Sequence, residues 1–143
     1  SSEVLQKFVS PLVSELEACD ALIVCVPEWA GMAPAGLKNL LLYLTGGCVA
    51  FKPAYLVGVS SSRGGSYPIA ELRMSSYKNS QIFYLPEHLI VRDCEHMFHD
   101  DSDDVYVRER LDYGLGILLE TAKLLQPLRN SGLIDLEKYP YGM

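Results

Sequence analysis

Residues 21–26 read ALIVCV and contain no polar side chain. A strand with one solvated face alternates apolar and polar residues, so an unbroken apolar run of this length is typical of a parallel strand that is covered on both faces. The run is far too short to span a bilayer. It therefore predicts a parallel sheet that lies between layers of helices.

The rest of the chain alternates between helical and strand patterns. Helices are predicted over residues 4–18, 35–44 and 68–77 and from the acidic run 100–104 to Pro127, and further strands over residues 54–60 and within residues 82–92. Pro86 cannot donate to a strand ladder, which predicts that the third strand lies at an edge. Alternation of this kind predicts an α/β domain with right-handed crossovers.

Proline and glycine predict several helix boundaries. Pro11 must kink the first helix or begin its second half, with Ser10 as the cap. Gly46 and Gly47 are expected to end the second helix. Pro127 is expected to stop the last one.

The chain opens on a helix and supplies only three strands, so the apolar strand at residues 21–26 would lack a neighbour. An exposed apolar edge strand is a pairing hazard. We therefore expect at least one strand to precede Ser1 in the complete protein, with a partner chain on that edge as the alternative. We expect residues 1–143 to form a single domain, incomplete at its N-terminus, with 131–143 as an extended tail.

Charge and cysteine content exclude several classes of protein. Lysine and arginine number 12, aspartate and glutamate 18, and the formal charge is −6. An acidic chain without a basic cluster is a poor partner for nucleic acid or anionic lipid, and we expect no membrane association. The four cysteines have no paired spacing, and no signal-peptide pattern opens the chain. This favours reduced thiols in a cytoplasmic protein.

Two loops leave the predicted strands, at residues 27–33 and 61–66. Open parallel sheets bind ligands at the carboxyl ends of their strands, and glycine lets the backbone approach a flat ligand closely. Glycine is also the usual turn residue, so composition alone supports equally the interpretation that these loops are ordinary turns without a ligand.

The residues around these loops carry a more specific signal. Residues 18–39, ACDALIVCVPEWAGMAPAGLKN, resemble the NADPH-dependent FMN reductase family, whose usual pattern is A-D-x-x-x-x-x-x-P-E-Y-N-G-S-x-P-x-x-L-K-N. Residues 58–65, GVSSSRGG, resemble that family's G-x-S-x-G-R-x-G-G loop. The two motifs occur in the expected order, and the resemblance covers residues near 1 to 125.

The resemblance implies a flavodoxin-like, three-layer α/β/α fold that binds FMN and passes electrons from NAD(P)H to a small-molecule acceptor such as a flavin or quinone. Hydride moves between nicotinamide and flavin, so it implies no catalytic acid or base, and we expect no metal. The cofactor-binding residues implied are Pro27, Glu28, Trp29, Ala30, Gly31, Met32, Ser60, Ser61, Ser62, Arg63, Gly64 and Gly65. It further implies a homodimer or homotetramer that packs through the second helix, where Leu42 and Tyr43 lie off the apolar stripe.

The chain departs from the family pattern at several positions. Trp29 replaces the usual tyrosine, Ala30 the usual asparagine and Met32 the usual serine. The family's S-x-R-x-x-S loop for the FMN phosphate has no match in residues 1–20. These departures keep a second reading open, a flavodoxin-fold electron carrier or binding module without reductase activity.

Three side-chain roles follow as further hypotheses. Arg63 either pairs with a phosphate of the nicotinamide cofactor or is a solvated loop residue. Glu28 and Lys38 are candidates for a surface ion pair. Gly64 is expected to need a positive φ or to make room for a ligand. The group Cys94, His96 and His99 matches no standard metal-site spacing, so a metal there is disfavoured.

Overall fold

Three parallel strands form one sheet in the order β1-β2-β3. They are β1 (Leu22–Pro27), β2 (Pro53–Val59) and β3 (Phe83–Val91). This computed structural model describes Glu3 and residues 5–143. The parallel pairing of β1 with β2, and of β2 with β3, confirms the predicted sheet.

Helices precede, connect and follow the strands. They are α1 (Ser10–Ala18), which follows a π-helical segment (Leu5–Val9), α2 (Ala35–Tyr43), α3 (Ser66–Ser75) and α4 (Val105–Arg129), with a short 3-10 turn at Cys94–His96. The predicted start of the first helix at Val4 lies outside the described residues.

Helices lie on both faces of the sheet and cover β2 on each of them. On one face, Tyr55 and Val57 of β2 pack with Leu118 of α4. On the other, Leu56 packs with Leu72 of α3. Parts of α1 and α2 lie on this second face, in an apolar cluster that includes Ala54 of β2. The predicted three-layer α/β/α arrangement is therefore present, because successive residues of a strand point to opposite faces.

Several predicted helix boundaries are wrong, and α3 spans residues 66–75 rather than 68–77. Ser10 is the first residue of α1, and Val9 occupies the N-cap. α2 ends at Tyr43, before the glycines, and the C-cap residue Leu44 is only 3% exposed. Pro127 lies inside α4, which continues to Arg129. A proline this close to a C-terminus removes only one hydrogen bond of the last turns.

β3 lies at an edge of the sheet, as Pro86 predicted. Tyr84 pairs with Ala54 and His88 pairs with Leu56, so the register shifts around Pro86. The guanidinium of Arg73 on α3 donates to the carbonyl oxygens of Leu85 at 2.6 Å and Pro86 at 3.2 Å. The irregular backbone around the proline therefore keeps partners for its carbonyl groups.

β1 forms the other edge of the sheet within the described residues. The prediction that this strand is covered on both faces is wrong within the described residues, because Ile23 is 52% exposed and Cys25 is also exposed. The long C-terminal helix packs on β2 and β3 instead. A preceding strand remains a prediction.

The four cysteines are free. No helix in the described part of the chain is long and apolar enough to cross a membrane.

Candidate functional site

Both motif-bearing loops leave the sheet at the carboxyl ends of its strands, which we call the carboxyl edge. We call residues 28–33 the first loop and residues 60–65 the second loop. The amide of Glu28 donates to the carbonyl of Val59 at 2.8 Å, and the amide of Ser60 donates to that of Val91 at 2.9 Å. The hydrogen bonding of the sheet therefore continues into both loops. Pro27 ends β1, so the structure brings all the predicted site residues to this edge.

The first loop contains a tight two-residue turn. Trp29 and Met32 exchange both backbone hydrogen bonds, each at 3.0 Å. Ala30 and Gly31 between them have φ values of 49° and 77°. Two consecutive positive φ angles define a type I′ turn, for which Asn-Gly is the preferred pair. Ala30 thus occupies a left-handed position that the family's usual asparagine adopts more easily.

Trp29 and Met32 present apolar surface beside this turn. Their side chains are 66% and 53% exposed. A cavity of about 400 Å³ borders Gly31 and is lined by Tyr67, Ala70, Glu71 and Met74. Two larger cavities share no residue with either loop, one of about 590 Å³ beside α2 and one of about 670 Å³ under the C-terminal tail. The strand ends form an open surface rather than an enclosed cavity, so size alone does not mark the site.

The second loop is held by its own first residue and by the residues after β3. The hydroxyl of Ser60 accepts hydrogen bonds from the amides of Ser62 and Gly64, both at 3.2 Å. The amide of Asp93 donates to the carbonyl of Ser62 at 3.0 Å. Arg92 donates through Nε to the carbonyl of Gly64 at 3.1 Å. Arg92 and Asp93 support the second loop only because the fold brings them close to it. Neither residue belongs to a sequence motif that could have predicted this role.

Two carboxylates connect the first loop to its surroundings. The carboxylate of Glu28 accepts a hydrogen bond from the amide of Gly65 at 2.5 Å. Glu71 of α3 accepts one from the amide of Ala33 at 2.8 Å and another from Lys38 Nζ at 2.7 Å. These two donors lower the pKa of Glu71, with Lys38 the larger cause. Sequence reasoning missed Glu71, which no motif includes.

The predicted pair of Glu28 and Lys38 is wrong. Lys38 forms its ion pair with Glu71, because α2 and α3 pack on the same face of the sheet. Glu28 instead turns toward the second loop and uses its carboxylate on a backbone amide.

The two glycines that end the second loop have different requirements. Gly65 has a φ of 97°, and a Cβ there would lie 2.5 Å from Ile90 Cγ2. Gly64 has no positive φ, so that part of the expectation is wrong. A Cβ on Gly64 would lie 2.5 Å from Glu28 Oε1. Gly64 is therefore constrained by a neighbouring carboxylate.

Several backbone donors at this edge are available to a ligand. The amides of Ala30, Gly31, Ser61 and Arg63 have no acceptor among the residues that the structure describes. Arg63 is exposed. Backbone donors beside exposed apolar surface suit a planar ligand that carries acceptor atoms along one edge.

The histidines after β3 make local contacts. Nδ1 of His96 lies 2.9 Å from Oδ1 of Asp93, and this contact raises the pKa of His96. Nε2 of His99 lies 3.0 Å from the carbonyl oxygen of Glu95. Within residues 3 and 5–143, no group of three or more His, Cys, Asp or Glu side chains is arranged to hold a metal ion.

A comparison with family models identifies the chain. The model for NADPH-dependent FMN reductase matches residues 2–96, which include both loops. The chain belongs to the NADPH-dependent FMN reductase family. Family membership indicates FMN and NAD(P)H as the cofactors. No curated protein sequence matches the chain significantly.

Solved structures show the same fold. An oxidoreductase from Corynebacterium diphtheriae superposes with a TM-score of 0.67 at 15% identity, covering 81% of this chain and 62% of that chain. An NADPH-quinone reductase from P. pentosaceus gives a TM-score of 0.55 at 19% identity, covering 80% of this chain and 84% of that one. The likeness confirms the flavodoxin-like α/β fold. The chain spans 62% of the length of the Corynebacterium protein.

Proposed function

We propose that the protein is an FMN-dependent NAD(P)H oxidoreductase that transfers hydride from NAD(P)H to FMN and then reduces a flavin, quinone or similar small-molecule acceptor. The observation that most supports this function is the placement of the two family loops side by side at the carboxyl edge of the sheet, joined by the hydrogen bond from Gly65 to Glu28. Ligands of open parallel sheets bind at this edge.

The loops fit the ring system of FMN. Its polar edge needs hydrogen-bond donors, and the first and second loops offer unbonded amides at Ala30, Gly31, Ser61 and Arg63. The ring faces need flat or apolar contact, which the exposed Trp29 can supply. We propose that residues 27–32 and 60–65 together build this ring site, some by contact with the ring and others by holding the two loops in place. Residues 1–20 contain no match to the family's phosphate loop, and we propose no phosphate contact within them.

FMN supplies the hydride chemistry when it is bound, so the task of the chain is positioning. The first loop presents its amides from a tight turn, and the bonds of Ser60 hold the second loop in one conformation. Arg63 is exposed on the second loop, where its guanidinium can form a bidentate pair with a phosphate of NAD(P)H. We propose Arg63 as the residue that orients the nicotinamide cofactor.

Purification of the full natural chain tests the function directly. We expect a yellow protein with flavin absorption, whose colour bleaches when NADPH or NADH is added without oxygen. Arg63→Ala should raise the KM for NAD(P)H and leave the flavin content per chain unchanged. Lys123→Ala, an exposed residue of α4, is the matched control. A colourless protein that takes up no added FMN would contradict the proposed function.

The left-handed Ala30 and the replacement of serine by Met32 favour a second candidate, a flavodoxin-fold electron carrier or binding module without reductase activity. An electron carrier would hold FMN that dithionite bleaches and NAD(P)H does not, whereas a binding module without flavin would be colourless. The same bleaching experiment therefore separates the two functions.

We also propose a setting for this activity. Residues 1–143 would act as one domain, with 131–143 as its tail, whose Gly142 amide donates to the carbonyl of Lys78 at 3.2 Å. Free cysteines and the lack of a basic cluster support a cytoplasmic protein that binds neither nucleic acid nor membranes.

A further inference from the structure

The side chain of Glu28 crosses from the first loop to the second. Its Oε2 accepts a hydrogen bond from the amide of Gly65 at 2.5 Å. A Cβ on Gly64 would lie 2.5 Å from Oε1 and 2.8 Å from Oε2 of the same carboxylate. The Gly64-Gly65 backbone therefore approaches this carboxylate as closely as glycine allows.

The position of Gly65 makes this contact consequential. Gly65 is the N-cap residue of α3 and has a φ of 97°. A carboxylate close to a helix N-terminus interacts favourably with the helix dipole, and its hydrogen bond is stronger than one between neutral groups. The Gly65 carbonyl also lies close to Gly58 of β2, since a Cβ on Gly58 would come within 2.5 Å of that oxygen. The carboxylate of Glu28 thus accepts its hydrogen bond from the residue at which the second loop ends and α3 begins.

We propose that Glu28 is a positioning residue, which sets the separation of the two cofactor loops through the Gly65 amide, and that Gly64 is glycine to make room for this carboxylate rather than for the cofactor. The inference rests on the proposed function only for the identity of the ligand. It differs from the expectation drawn from the family pattern, in which Glu28 contacts FMN and Gly64 faces the ligand.

A double-mutant cycle on the full natural chain tests this role. Fluorescence titration of the apoprotein with FMN gives the Kd of each variant. Because each substitution disturbs the bond that joins the two loops, we expect Glu28→Ala and Gly64→Ala each to raise the Kd for FMN roughly tenfold or more. Once the carboxylate is gone, Gly64→Ala should have little further effect, since its clash is removed.

Conservative and control variants sharpen the test. Glu28→Gln keeps an oxygen that can accept from the Gly65 amide, so its Kd should stay within about threefold of the parent. Glu15→Ala, at an exposed position of α1, should leave the Kd unchanged. Additive effects of Glu28→Ala and Gly64→Ala would place Gly64 against the ligand and overturn the proposal. An unchanged Kd for Glu28→Ala would also overturn it.

A cofactor-free measurement separates this inference from the proposed function. In the apoprotein, the Gly65 amide should exchange slowly with solvent hydrogen, faster in Glu28→Ala and nearly as slowly in Glu28→Gln. Equal exchange in all three would overturn the proposal even if FMN binds. If the parent binds no FMN, the proposed function fails, and the exchange rates still decide whether Glu28 holds Gly65.

Discussion

The aromatic ring of Tyr55 on β2 lies directly against the α-carbon of Gly114 on α4. A Cβ on Gly114 would overlap Cζ and the hydroxyl oxygen of that ring. Tyr55 is fully buried, at 0% exposure. The long helix therefore approaches the sheet closely only because residue 114 has no side chain.

This contact predicts opposite effects for two glycines of α4. Gly114→Ala should destabilise the protein by about 1–3 kcal/mol, because overpacking against the buried ring outweighs the helix propensity of alanine. A Cβ on Gly116 meets nothing within 4 Å, so Gly116→Ala should stabilise by up to about 1 kcal/mol. Chemical denaturation measures both. Changes of the same sign would show that the Tyr55 contact does not control the packing of α4.

The turn at Ala30 predicts a stabilising substitution. Ala30 has a φ of 49°, a left-handed conformation that costs a residue with a Cβ roughly 1–2 kcal/mol. Ala30→Gly and Ala30→Asn should therefore raise the melting temperature. Ala70→Gly, within α3, should lower it, since glycine is about 1 kcal/mol worse than alanine inside a helix. A lower melting temperature for both Ala30 variants would contradict the type I′ assignment.

Asp104 predicts a stability change at acidic pH. Its side chain accepts hydrogen bonds from Arg108 at 2.6 Å, Ser102 at 2.7 Å and the Phe98 amide at 2.5 Å. These donors, Arg108 foremost, lower its pKa from 3.8 to about 2. The unfolded chain therefore takes up a proton before the folded one. This contribution to stability is complete above the ordinary pKa and disappears as the pH falls toward 2.

Thermal melts between about pH 5 and pH 2 check this prediction. Asp104→Asn should have a lower melting temperature at neutral pH and a shallower decline through the window between 3.8 and about 2. Asp101→Asn, an exposed neighbour, should retain the slope of the parent. Parallel slopes for the parent and Asp104→Asn would contradict the assigned role.

The outer face of α2 predicts an assembly surface. Leu42 is 73% exposed and Tyr43 44% exposed. An exposed apolar patch on a helix is typical of an interface, and we propose a homodimer or homotetramer that buries it. Light scattering should show a smaller mass for Leu42→Glu and Tyr43→Glu. Leu124→Glu, equally exposed on α4, should keep the parent mass. A monomeric parent would contradict the interface.

Local sequence patterns were sufficient to predict the helices and strands. The apolar run at residues 21–26 became β1, residues 22–27, although only one face of that strand is covered within the described residues. Pro86 placed β3 at an edge, since it lacks an amide donor. The loop motifs identified the family and the strand ends where we propose the site, because residues at the ends of neighbouring parallel strands are brought together.

The tertiary structure alone decided which residues support those loops. Glu28 bonds Gly65 rather than pairing with Lys38, and Glu71 holds the end of the first loop. Leu44, the C-cap residue of α2, packs into the core instead of continuing the helix. Each of these contacts joins groups whose meeting depends on how helices pack across the sheet. Periodicity and motifs indicate which face or loop a residue occupies. The partner of its side chain depends on which other residues the folded chain brings within bonding distance.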